Sequence, residues 1–550
     1  KPFEELRAFT GPHHIVFSTH WGPEWYLPFQ KFRVQLLEVL DGVLENLESG
    51  RLPFYQLDGQ FIPLEDYLEI RPEKEAAIRT LVKSGRLLVG PWYNMPDEFL
   101  VSGESLVRNF QMGMTRAEAF GQTSRVGWLC DLFGHNSQMP QVLQGLGIAS
   151  ALVWRGMDAT LGSPFRWRAP DGSEVLTHWF PRHGYADFGL SVRGAQNYWE
   201  RDSRETLKTR VRAYFCDPDI RQSSRNVLFF DGGDHMGFDS AILDAVAAIN
   251  QEIGREVVIV STLDAYLAEL SAEETQSVSD SEGIAPKGTH RTGSKRIWRG
   301  EMREACPMES QGWLIPGVAS SRIPLKRANH AGETLLTLWA EPWLATAALT
   351  CGLEYPARAL ELAWEYLLKN HPHDSICGCS PDETHEAMPY RFSQSRQIAE
   401  AYLQVALQTI SAEALDGQLK AGELGVSVFA PGGGTIQRCV EISLKLPASW
   451  PQFNEFFGFE TKPSFQILNE AGAELSYQLL EVTPRTTHLR VPEFKFPAAE
   501  IRQGVRLALD ANMLPNEVRH LRIVPSEGPT RIAQQACIGV ARNCLKNEHL

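Results

Sequence analysis

Three polar clusters in this chain sit directly after short apolar runs. His20 follows HIVFST, Asp131 follows RVGWL, and Asp234 with His235 follows NVLFF and the tripeptide Asp231-Gly232-Gly233. In a parallel α/β sheet the carboxyl ends of the strands share one rim, and ligands bind there. A fourth cluster, Asn370-His371-Pro372-His373-Asp374-Ser375, puts two imidazoles and a carboxylate on an irregular segment. Imidazole and carboxylate are donors for a catalytic Zn²⁺, which keeps an open coordination position. His20, Asp131 and one of His371 and His373 would form such a set. The carboxylate pair Asp131 and Asp234 also suits glycoside hydrolysis, one as nucleophile and the other as acid/base. Trp25, Trp92, Tyr93 and Phe133 lie near these clusters and could offer apolar faces to a sugar ring. Each feature also has a plainer reading: Asp131 as a cap, the polar residues as a solvated rim, the aromatics as core.

The elements that must position these residues read as strands and helices in alternation over the first ~270 residues, the pattern of an α/β domain with a mainly parallel sheet. Strands are expected at 14–19, 52–57, 86–90, 125–129, 149–154, 174–180, 226–230 and 256–260. Phe32, Leu36, Leu40, Val43 and Leu47 recur at helical spacing up to Gly50, and helices are also expected over 73–84 and 104–120. Residues 271–295 are polar and without period, and read as a linker or long loop. Residues 296–415 read as a helical bundle carrying the His371/His373 segment, with Leu335, Leu338, Leu344 and Leu349 on one buried face and Leu362, Tyr366 and Leu367 on another. From 416 to 550, alternation such as Cys439-Val440-Glu441-Ile442-Ser443-Leu444 between Pro and Gly residues has a β-sandwich texture.

Composition narrows the function classes. At 550 residues several domains are expected. A net charge of −14 argues against nucleic acid or an anionic membrane surface as partner. No run reaches the ~20 apolar residues of a membrane span. Nine scattered cysteines are odd in number and match no zinc-finger spacing, which suits free thiols and a cytoplasmic location.

Taken together, the stretches THWGPEWYLPF (19–29), LDGQ (57–60), GPWYNMPDEFLVSGESLVRN (90–109), GWLCDLFGHNSQMPQ (127–141), VWRGM (153–157), DGGDHM (231–236), LKRAN (325–329) and NHPHDSICGCSPDETH (370–385) resemble the α-mannosidases of glycoside hydrolase family 38, particularly the bacterial type. The resemblance implies a parallel, β/α barrel-like catalytic domain, then a helical bundle and β-sandwich regions. It implies one Zn²⁺, or another divalent ion in its place, on His20, Asp131 and His373. Asp131 would be the nucleophile as well as a ligand, with retention of anomeric configuration, and Asp234 the general acid/base. Asp374 would bind sugar hydroxyls, Trp25 and Phe133 would pack on the ring, and His235 would join the substrate-binding set. The implied partner is a carbohydrate such as a terminal or small α-mannoside, mannosylglycerate among them; the sequence leaves room for a homo-oligomer without fixing the oligomeric state.

One departure bears on activity. Where bacterial members read HTHWDREW, this chain reads STHWGPEW, so Gly22 stands where the family has an aspartate ligand. Water or Glu24 could complete the shell of a working enzyme. The alternatives are a shift to a different glycoside, or a catalytically impaired carbohydrate-binding homologue. Asn547-Glu548-His549-Leu550 resembles the start of a further β-motif, which makes an incomplete β-region the expectation.

Overall fold

A computed structural model describes residues 13–157, 162–194, 204–217, 220, 226–280, 296–304, 314–454, 461–490, 496–528, 539–541 and 543–546. The expected ending at 547–550 and the 281–295 part of the expected linker lie outside these residues. The chain divides into two compact units, residues 1–333 with 362–396, and residues 334–361 with 397–550.

The first unit is α/β. Strand β1 (His13–Phe17) lies between β8 (Leu228–Asp231) and β9 (Val258–Val260), parallel to both. The side chains of β1 alternate between two cores, as a strand buried on both faces requires. Ile15 and Phe17 join one cluster with Phe32, Leu36 and Leu40, while Val16 joins another with Trp92, Trp128 and Leu152. The helix Phe29–Glu48 buries Phe32, Leu36, Leu40, Val43 and Leu47, the stripe read from the sequence. Strands β2 (Tyr55–Gln56) and β3 (Leu87–Leu88) pair in parallel, as do β4 (Gly127–Leu129) with β5 (Ser150–Val153) and β5 with β7 (Glu174–Trp179).

Two strands were not expected. β6 (Phe165–Arg168) runs antiparallel to β7, and β10 (Ile297–Arg299) pairs with β6. Both are short, and their arginines hide the apolar signal. The expected linker is corrected as well. The helix Leu263–Asp280 continues through its first ten residues, because Leu263, Tyr266, Leu267 and Leu270 anchor one face while Glu274 pairs with Arg166 and Glu273 accepts from the Asn226 backbone.

In the second unit the buried helical face differs from the one read from the sequence. Leu336, Ala340, Trp343, Leu344 and Ala347 are buried, whereas Leu338 and Leu349 are exposed. A π-helical turn over Leu335–Ala340 adds a residue to the repeat and shifts the face by one position. In the helix Ala357–Leu368, whose residues from Leu362 on belong to the first unit, the buried residues are Leu360, Ala363, Trp364, Leu367 and Leu368, with Leu362 exposed. Farther on, two three-stranded antiparallel sheets, one including Leu424–Phe429 and Val518–Pro525, the other Ile436–Pro447 and Ala498–Met513, contribute to one core of Leu446, Phe465, Ile467, Leu507, Leu521 and Ile523. No described helix is long and apolar enough to cross a membrane.

Candidate active site

The rim rule brings His20, Asp131 and Asp234 together. Beyond β1 and β8 the ladder continues one step, with His20 opposite Asp234. The His20 N–H donates to the Gly233 carbonyl (3.2 Å) and the His235 N–H to the His20 carbonyl (2.9 Å). His20 Nε2 lies 3.6 Å from Asp131 Oδ2. The fourth cluster reaches the same point, with His373 Nε2 3.2 Å from that oxygen. His371 does not reach it; its Nε2 bonds to Asn329 Oδ1 at 2.6 Å, deep in the core.

Each of the two site imidazoles is oriented by its other nitrogen. His20 Nδ1 donates to Asp58 Oδ2 (3.0 Å), and His373 Nδ1 donates to the Met95 carbonyl (3.1 Å). Asp58 is itself fixed by the Trp21 N–H (3.0 Å) and the Gln60 amide (2.7 Å). With Nδ1 committed, both Nε2 atoms are left buried without a hydrogen-bond partner. A carboxylate or carbonyl behind an imidazole, with the far nitrogen unpaired, is the arrangement that metal-bound histidines adopt. The donor atoms of His20, Asp131 and His373 all lie within 4.8 Å of one another. The residues present therefore fit a divalent cation.

Asp131 is buried, yet Arg155 grips its Oδ1 through Nε (3.0 Å) and Nη2 (2.5 Å). Burial pushes this carboxyl up, but Arg155, then His373 and His20, hold it well below the usual carboxylate range. Asp234 moves the other way. Burial and the negative charge of Asp131 raise it, against the pull of His20 and of the Tyr185 hydroxyl, which donates to Oδ1 at 2.6 Å. Two carboxyl groups in one site are thus driven apart, Asp131 downward and Asp234 upward.

The expected sugar-packing residues fall into two groups. Phe133 presents its ring edge to His373 at 5.6 Å and lies beneath the Arg155 guanidinium. Gly134 makes the turn behind it with φ +102°, where a Cβ would strike the Met302 carbonyl at 2.9 Å. Trp25 is half-buried, near Tyr26 and His235. His235 sits edge-on to Trp21 and Phe32, and burial, its largest influence, lowers it to about 3. Trp92 and Tyr93 are core, with Trp92 stacked on Phe110.

Arg155, Asp58 and Tyr185 were not expected from sequence. Arg155 and Asp58 carry the same signal as Asp131, a polar residue just past a strand end (β5 and β2); Tyr185 carries none. Glu24 is corrected as a candidate ligand. Its Oε1 accepts from Ser375 Oγ (2.7 Å) and Arg391 Nη1 (2.8 Å), and its Oε2 from Arg391 Nη2 (2.7 Å), so the carboxylate is saturated.

The model of the "Glycosyl hydrolases family 38 N-terminal domain" matches residues 11–292, more than half of the chain, and that of the "Alpha mannosidase middle domain" matches residues 314–410. The chain belongs to glycosyl hydrolase family 38. It is 33% identical over 423 residues to a protein of Halalkalibacterium halodurans named "Putative mannosylglycerate hydrolase", covering 73% of this chain and 43% of that one. It is 27% identical over 308 residues to "Alpha-mannosidase 2C1" of Mus musculus, covering 55% of this chain and 26% of the other. The crystal structure of an α-mannosidase from Enterococcus faecalis V583 superposes with a TM-score of 0.81 at 26% identity, over 95% of this chain and 57% of that one. The chain thus spans less than half the length of these two curated relatives.

Proposed function

We propose that this chain carries the catalytic machinery of a retaining, metal-dependent glycoside hydrolase that cleaves α-mannosides, either terminal or on small molecules. The observation that carries the reading is the opposed pair at one rim: Asp131 held ionised by Arg155 and Asp234 raised toward its protonated form. Asp131 would attack the anomeric carbon while Asp234 gives its proton to the leaving oxygen. Esterification of Asp131 removes the negative charge that raises Asp234, so the same carboxyl then ionises and takes a proton from the attacking water. Tyr185 fixes Asp234 Oδ1 throughout, leaving the other oxygen for the proton transfers. A divalent cation, Zn²⁺ in our reading, would be held by His20, His373 and Asp131 and would act as a Lewis acid that orients adjacent sugar hydroxyls. Trp25, Phe133, His235 and Asp374 would line the sugar site. Small mannosylated substrates such as mannosylglycerate are favoured by the name of the H. halodurans relative. The reading includes a barrel-like catalytic domain over 1–270, a helical bundle over 296–415, a β-sandwich region beyond it and a cytoplasmic location.

A second reading rests on Gly22. With no side chain there and Glu24 saturated by Arg391 and Ser375, the protein would be a carbohydrate-binding homologue without turnover. Metal analysis of the purified protein, with an aryl α-mannoside assay run with and without chelator, separates the two. About one equivalent of zinc with chelator-sensitive turnover supports the hydrolase. Mannose binding without metal or turnover supports the second reading and sinks the first.

A further inference from the structure

We infer that Asp374 is a fourth protein ligand of the cation held by His20, Asp131 and His373, in place of the side chain that Gly22 lacks. The inference rests on the reading of that site as a cation site. A Cβ built on Gly22 would lie 3.1 Å from Asp374 Oδ2, so the Asp374 carboxylate already fills the space in front of the Gly22 α-carbon. The same oxygen is 3.7 Å from His373 Nε2, one of the two unpartnered imidazole nitrogens. Asp374 is only 8% exposed. Among the described residues no N–H or hydroxyl donates to its Oδ2, and the contact at Oδ1 is the Cys379 thiol at 3.9 Å. Glu24, two residues from Gly22 in sequence, has donors on both oxygens and is excluded. A buried carboxylate with an undonated oxygen is costly unless a cation balances it. Two imidazole nitrogens with two carboxylate oxygens make a donor set that zinc or cobalt accepts; Asp374 stands outside the three donors that already lie within 4.8 Å of one another, so ligation would draw its Oδ2 inward.

One arrangement competes with this one. Cys377 Sγ and Cys379 Sγ lie 3.1 Å apart, and with Asp374 they form a second group of donors. Cobalt distinguishes the two, because thiolate ligation adds an intense near-ultraviolet sulfur-to-metal band.

The test measures zinc affinity by competition with a chromophoric chelator, and the Co²⁺ absorption spectrum, for the intact chain and for Asp374→Asn, Gly22→Asp and the double variant. We expect Asp374→Asn to weaken zinc binding by on the order of 10- to 100-fold or more, the range seen when even a supporting group is lost, and to alter the cobalt bands. Adding Gly22→Asp to the Asp374→Asn variant should recover most of that affinity, which a misfolded variant could not do. Unchanged affinity and spectrum in Asp374→Asn would overturn the inference while leaving the three-residue site standing. A sulfur-to-cobalt band abolished by Cys377→Ala or Cys379→Ala would also overturn it. An intact chain that binds neither metal overturns the cation reading itself.

Discussion

Four buried histidines show how the site differs from the core around it. His178 meets the Tyr266 hydroxyl at 3.0 Å and the Ser163 hydroxyl at 3.3 Å, and burial lowers it to about 3. His371 meets an amide oxygen, and burial lowers it to about 4. His20 and His373 are just as buried, yet they rise. Burial pulls both down, but Asp58, Asp131 and Asp234 lift His20 to about 10, and Asp374 and Asp131 lift His373 to about 9. Equal desolvation with opposite outcomes isolates the cause, which is the carboxylates facing the imidazoles. Against Asp58, Asp131, Asp234 and Asp374 the site sets, among the described residues, the guanidinium of Arg155. It therefore draws in positive charge, as protons on the imidazoles or as a cation, and the two core histidines do not.

The contrast can be broken in several places. The largest effect should come from Asp131→Ala, which removes the proposed nucleophile; turnover of an aryl α-mannoside should fall by about 10⁴-fold or more, and a loss below tenfold would refute the assignment. Next is Arg155→Met. It removes the main force holding Asp131 ionised, so kcat/KM should drop by on the order of 10²-fold. The acid limb of its pH profile should move to higher pH, since losing a neighbouring cation favours the neutral carboxyl. An unmoved limb would separate Arg155 from Asp131.

Smaller effects sharpen the pair of histidines on one segment. His373→Gln should abolish stoichiometric zinc, whereas His371→Ala should keep it and cost about 1–3 kcal/mol of stability by leaving Asn329 Oδ1 unpaired; equal zinc loss in both would erase the distinction. The mildest test concerns His178. Its folded value of about 3 lies below the ordinary 6.5, so the unfolded chain binds the extra proton between those limits. Its contribution to stability is complete above pH 6.5 and is lost as pH falls toward 3. His178→Gln should flatten the acid slope of stability by about one proton, or ~1.4 kcal/mol per pH unit, in denaturant titrations across that window.

Much of this was legible in the sequence because one physical rule repeats. An apolar run ending in a polar residue marked His20, Asp131 and Asp234; the parallel pairing of β1 with β8 sets His20 beside Asp234, and Asp131, at the end of β4 in a separate sheet, meets His20 at 3.6 Å. The rule also covered Arg155 and Asp58, which were passed over because an arginine or aspartate after a strand is common without a partner in view. Tyr185 sits in a single 3-10 turn, Gly184–Ala186, too short for any period to announce it. Residue types alone leave His371 and His373 open, since both flank Pro372 and the local turn decides which ring faces Asp131; the family resemblance is what singles out His373. Leu338 and Leu349 misled because a π turn breaks the helical count, and the saturation of Glu24 depended on an arginine far along the chain.

That distance has a consequence for how the molecule comes into being. Ser375 and Arg391 clasp Glu24 across 351 and 367 residues of chain, and the Met95 carbonyl receives His373 across 278. His20, Asp131 and Asp234 leave the ribosome long before the segment that completes them. Such remote closures form late, after their loop entropy has been met. During synthesis the growing sheet would carry its acidic rim without the second imidazole, and the capacity to hold a cation would arrive in one step when the stretch around His373 docks.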